Sequence, residues 1–225
     1  MNANSVPAPS LGAPAIHSTA QATAYEAIRQ AIMRGTLGPG TKLNQTALAA
    51  QLSLSTTPIR EALRRLAGDG LVRIDQYRGA IVRELDQSEL TDIYEARMRL
   101  EPLAIHKAIE KITARELDEA EQLCKRMDDH TDIDAWVEAN RQFHAIFARV
   151  ARSSILEPIL KSLRDSAAPY VRLSIALDSN VQVTSNAEHY ELLEAFGARD
   201  ADRAAKIEVD HLRATLAVIL NRWSS

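Results

Sequence analysis

Residues 52–72, "LSLSTTPIREALRRLAGDGLV", combine a helix start with a cationic outer face. Ser55 or Thr57 can cap a helix, and Pro58 falls in its first turn, where a missing N–H costs little. Ile59, Ala62, Leu63 and Leu66 form one apolar stripe, leaving Thr56, Thr57, Arg60 and Arg64 on or near the opposite side. Guanidinium and hydroxyl groups presented this way suit phosphates and base edges, with the helix N-terminal amides as further phosphate donors. A second set lies downstream: Asn140 and His144 are four apart and share a helical face, and His189 and His211 follow on later segments. Any one of these histidines, taken alone, is more often a hydrogen-bonded interior or surface residue. No H-E-x-x-H, P-loop or G-x-S-x-G stretch accompanies them, so the usual enzyme motifs are missing.

The elements around the first set follow a recognisable order. Gln21 to Arg34 places Ala24, Ala27 or Ile28, Ala31 and Ile32 on one stripe, and "GTLGPGTKL" then breaks the helix with a turn. Asn44 can cap a short second helix, "QTALAAQL", with Ala47, Leu48 and Leu52 facing inward. After the third helix, "LVRI" and "AIVREL" are β-prone runs around "DQYRG", a hairpin with a basic, glycine-containing tip. Helix, helix, turn, helix and basic hairpin make a winged helix-turn-helix, whose third helix enters the DNA major groove.

Residues 86–225 contain no convincing strand run and read as six helices, about 87–111, 113–129, 132–151, 154–178, 183–197 and 199–222. The predicted fold is therefore mainly all-α. A flexible tail (1–18) precedes the winged helix-turn-helix (19–85), and a six-helix antiparallel bundle (86–225), large enough for a ligand cavity, follows.

Bulk properties agree with that division. The chain has 225 residues, 46% of them hydrophobic, and a net charge of −3. Residues 20–83 hold nine Lys/Arg against four Asp/Glu, a net of +5, while the remainder is acidic. A basic head on an acidic body points to a polyanionic partner for the head. The single Cys124 excludes an intramolecular disulfide, and no signal peptide or membrane span is evident, which predicts a cytoplasmic protein.

These residues resemble the GntR family of bacterial transcription regulators, in its FadR-like branch with an all-helical effector (FCD) domain. The likeness runs from "AIMRGTLGPGTKLNQTALAAQL" through the quoted stretch and the "RGAIV" wing to "LTDIYEARMRLEPLA", "ANRQFHAIFARVA" and "EHYELLEAF". Six effector helices look like the VanR-type subgroup. The resemblance implies operator contacts at Thr46, Ser55, Thr56, Thr57, Pro58 and Arg60, with Gln76, Arg78 and Gly79 in the wing; Arg64 joins the DNA-binding set from its place on the outer side of the third helix. Thr56 stands where relatives usually carry arginine.

The resemblance also implies a divalent-metal site, with Asn140, His144, His189 and His211 as ligands. Neutral imidazoles suit Zn²⁺ or Ni²⁺, and three histidines from different helices leave positions open for a carboxylate or water. Asn140 brings a neutral oxygen where aspartate would bring a charge. Arg97, and Arg172 with it, would clamp an effector carboxylate. The resulting expectation is a homodimeric repressor, not an enzyme, that leaves a pseudo-palindromic double-stranded operator when a small carboxylate binds. A metal-dependent enzyme built on the histidines, and a DNA-binding regulator whose metal is purely structural, are the competing readings.

Overall fold

The computed structural model describes residues 19–75, 79–129, 132–178 and 180–221. The tail read at 1–18, the hairpin tip with Gln76 and Arg78, and His17 and His130 lie outside them.

The front module opens with α1 (Ala20–Met33), β1 (Lys42–Leu43), α2 (Gln45–Leu52) and α3 (Thr56–Gly68). β2 (Val72–Asp75) and β3 (Gly79–Val82) complete it as an antiparallel hairpin, with Val72 opposite Val82 and Asp75 opposite Gly79. Asn44 caps α2 through its side chain, which accepts from the Ala47 amide at 3.0 Å. Ser55 occupies the N-cap of α3 in an extended conformation without making the side-chain bond. Ile59, Ala62, Leu63 and Leu66 are all buried, as the stripe requires, and pack on Ile28 and Ile32 of α1 in one core.

Three details differ from expectation. β1 falls inside the segment read purely as a turn: Gly40, at φ +80°, turns the chain so that Lys42 and Leu43 pair with Ile81 and Ala80. Two residues are too few to carry a periodic signal. On α2 the buried residues are Leu48 and Ala49, with Ala47 exposed, because a helix this short and alanine-rich has little amphipathic contrast. On α1, Tyr25 and Met33 are buried while Ala31 is only half-buried.

Behind the hairpin come α4 (Gln87–Ile109), α5 (Ala114–Asp129), α6 (Ile133–Val150), α7 (Leu156–Leu177), α8 (Asn180–Gly197) and α9 (Ala201–Asn221). Asp86 and Glu89 form a reciprocal capping box that starts α4 directly after the wing. α4 packs along α9, and α5 and α6 pack against each other, around Trp136, Phe143, Phe147 and Phe196. Among the described residues no helix is long and apolar enough to cross a membrane.

α7 is the platform on which the front module rests. Arg29 of α1 donates to Asp165 at 3.0 Å, and Ser162 donates to the Asp69 carbonyl at 3.2 Å. The Leu85 amide donates to the Tyr170 hydroxyl at 2.7 Å, which bonds back to the Leu85 carbonyl at 3.2 Å.

Candidate functional site

Three helices of the bundle bring the downstream histidines together. α6 supplies His144, α8 His189 and α9 His211, all buried, and each pair of rings is centred 5.2 Å apart. One ligand nitrogen from each can be chosen so that all three lie within 4.8 Å of one another. Phe143 holds the His189 ring from the side at 4.6 Å between centroids.

Several polar atoms here are not satisfied by protein. Both nitrogens of His189 and the Nε2 of His144 lack a hydrogen bond, and so does the Asn140 Oδ1, one helical turn from His144, whose Nδ1 meets only the Glu208 carboxylate at 3.2 Å. Buried polar atoms are normally paired, and a group of them facing one point is the arrangement a cation would satisfy. Burial, followed by the neighbouring His144 and His211 rings, holds the His189 imidazole well below its ordinary pKa. His189 is therefore neutral and able to ligate. His211 is oriented differently: its Nδ1 donates to the Glu188 carboxylate at 2.6 Å, the outer hydrogen bond by which a ligating imidazole is commonly aligned. The residues fit a divalent ion of the zinc or nickel type.

One neighbour had no place in the sequence reading. Glu208 is buried beside the triad, with Oε2 at 3.2 Å from His144 Nδ1 and Oε1 unpartnered. Burial opposes its charge, yet the His144 and His211 rings and the Arg97 guanidinium outweigh that and hold the carboxyl well below its usual range. The available signal was its spacing, three residues before His211.

Arg97 lines the same region. A cavity of about 20 Å³ is lined by Tyr94, Arg97, Asn140, His144, Ser185 and His211 among others, room for about one water. A second, of about 120 Å³, shares Val181, Ser185 and Thr215 with it and opens toward the outside. Arg97 Nε donates to Glu101 at 3.0 Å, and Arg164 of α7 donates twice to the same carboxylate, at 3.1 and 2.8 Å. Arg172 is not brought into this cavity. Its Nε donates to Asp134 at 2.7 Å and its guanidinium stands against the Gly35 turn of the front module. The spacing placed Arg172 on α7 but could not say which side of α7 the front module covers.

On the front module Thr46, Ser55, Thr56, Thr57, Arg60 and Arg64 are exposed together around α2 and α3, and Pro58 is half-buried behind them. Arg60 and Arg64 flank Glu61, at 3.8 and 3.2 Å, and keep more than half of their side-chain surface free. Gly79 opens β3 at φ +78°, exposed, a left-handed position that glycine takes without strain. Arg73, exposed on β2, adds a further cation to the wing that the sequence reading did not single out. Arg65 turns away to stack over Tyr25 at 4.1 Å.

Comparison with known proteins gives two matches that divide the chain as the fold does. Residues 20–82 match the bacterial regulatory proteins of the gntR family, and residues 92–214 match the FCD domain. The chain is 30% identical over 148 residues to the HTH-type transcriptional regulator YdhC of Bacillus subtilis (strain 168), a span of 63% of this chain and 65% of that protein. It is 28% identical over 206 residues to the HTH-type transcriptional repressor GlaR of Escherichia coli (strain K12), covering 87% and 93%. Its fold is similar to that of E. coli McbR/YncC, with a TM-score of 0.82 at 22% identity over 91% of this chain and 99% of that one.

Proposed function

The chain belongs to the gntR family of bacterial regulatory proteins, with an FCD domain behind a DNA-binding head, and from that premise we propose a repressor released from its operator by a small carboxylate. That it is a DNA-binding transcriptional regulator and not an enzyme follows from the family itself, which sets aside a catalytic role for the histidines. The name of GlaR is that of a repressor, and it supports the same sign here. Six effector helices favour the VanR-type subgroup.

Residues 19–85 form the operator-binding head. The exposed hydroxyls at the α3 N-terminus fit phosphate, and Arg60 and Arg64 fit base edges or phosphates. Two heads, joined as a homodimer through residues 86–225, would read the half-sites of a pseudo-palindrome in cytoplasmic DNA.

The effector reading is carried by one observation: Tyr94, Asn140 and His144, each with a buried polar atom that makes no hydrogen bond, line a cavity of about 20 Å³. Asn140, His144, His189 and His211 would hold a divalent ion, Zn²⁺ or Ni²⁺, which when bound supplies an electrophilic centre for a carboxylate. Arg97 stands beside it as a second anchor. The space is tight, so the binding of an organic acid would part the helices around it. α7 borders the site through Arg164 and carries the DNA head through Asp165. An effector that favours the parted arrangement shifts the population of head positions by its differential affinity for the two states.

A thermal-shift screen of carboxylic acids on metal-loaded and chelated full-length protein tests this, followed by operator release in a gel-shift assay for each hit. An acid that raises the melting temperature of loaded protein and releases DNA supports the proposal. If no acid shifts either form, the sensor reading falls; a metal that stabilises protein deaf to every acid would leave it a structural brace.

A further inference from the structure

The charge balance of the histidine centre is incomplete as the family pattern draws it. Three neutral imidazoles and the neutral Asn140 amide would leave a dication among buried side chains with no anionic protein ligand. An uncompensated buried charge of that size is costly.

Glu208 supplies what is missing. It sits on α9 three residues before His211, so both side chains face the same way. Only 1% of it is exposed, Oε2 is 3.2 Å from His144 Nδ1, and Oε1 has no partner. The nearby Arg97 does not account for it, because Arg97 bonds to Glu101, which Arg164 also holds through two hydrogen bonds. A carboxylate retained in the interior with one oxygen against His144, a member of the triad, and the other bare has a free lone-pair face to offer a cation there.

Resting on the metal reading above, we propose that Glu208 is a protein ligand to the divalent ion, delivering from α9 the negative charge that Asn140 does not bring from α6. One fewer coordination position is then open to an effector. The ion is also held firmly when no effector is present.

The test uses full-length protein stripped with a chelator and titrated with Zn²⁺ against a chromophoric competitor, with the visible spectrum of the Co²⁺-loaded form as a second readout. Glu208→Gln should weaken Zn²⁺ binding about tenfold or more and move the Co²⁺ bands. Adding Asn140→Asp to that variant should restore most of the affinity. If Glu208→Gln does not fold, Glu208→Asp is read instead, and its Co²⁺ bands should move because the carboxylate is shorter by one methylene. Unchanged affinity and spectrum in the readable Glu208 variant, while His144→Ala loses the ion, would remove Glu208 from the centre and leave the metal reading standing. A parent protein that takes up neither ion would overturn both.

Discussion

Arg164 and Asp165 are consecutive on α7 and serve different halves of the molecule. Arg164 donates through Nε and Nη2 to Glu101 inside the bundle, at 3.1 and 2.8 Å, whereas Asp165 accepts from Arg29 of α1 at 3.0 Å. Both are buried, so neither side chain can rearrange without disturbing packed neighbours. On the proposed reading, a displacement of α7 at the cavity would reach the DNA head within one residue.

Arg29→Ala tests that connection. It leaves Asp165 buried with Lys161, at 2.6 Å, as its nearest remaining cation. Loss of one member of a buried pair should destabilise the protein by about 3 kcal/mol, read from urea unfolding. Operator binding should persist while effector-driven release is blunted. A variant as stable as the parent and fully responsive would mean that the seam plays no part in coupling.

The same pair sets a pH dependence. Burial raises the Asp165 carboxyl pKa, but the Arg29 guanidinium and the Lys161 ammonium lower it further than burial lifts it. A carboxyl whose folded pKa is depressed contributes stability that is fully present above its unfolded value, about 4, and lost as pH falls through the folded value. The difference in unfolding free energy between the parent and Asp165→Asn should be constant above about pH 5 and shrink below about pH 4. A difference that grows on acidification would contradict the assignment.

How much of this was legible depends on where burial is decided. The inward stripe of α3 and the Asn44 cap are local, set by spacing within one helix, and the structure repeats them. The convergence of His144, His189 and His211 is not local, and it was readable only through likeness to a family. Glu208 and Arg164 were not singled out, because a charged residue on a mixed helix looks solvated until the neighbouring helices close over it, and the one signal for Glu208, its spacing from His211, does not tell burial from exposure. Arg172 shows the converse: its helix was legible, but the face that meets Asp134 and the Gly35 turn is chosen by docking of the front module.

For the DNA head, Arg60→Ala should cost about 1 to 3 kcal/mol of operator affinity and relax preference at one base step if it reads a base. Arg64→Ala, if it meets phosphate, should weaken all sequences alike and lower the salt slope by about 1. Fluorescence anisotropy over a salt series separates the two. Indifference to both substitutions would show that α3 does not lie in the groove.

One hydroxyl of the bundle holds both backbone groups of the residue that joins the wing to α4. Tyr170 on α7 takes the Leu85 amide proton at 2.7 Å and donates back to the Leu85 carbonyl at 3.2 Å, where both residues are buried. Tyr170→Phe keeps the ring and removes those bonds, leaving a buried backbone N–H and C=O without a partner. The expected cost is about 1 to 3 kcal/mol. Because Leu85 directly precedes the Asp86 cap of α4, the freed segment should also loosen the head against the bundle. Hydrogen exchange at the Leu85 amide should accelerate more than at amides in the α3 core. Exchange unchanged at Leu85 would show that the amide is held by something other than this hydroxyl.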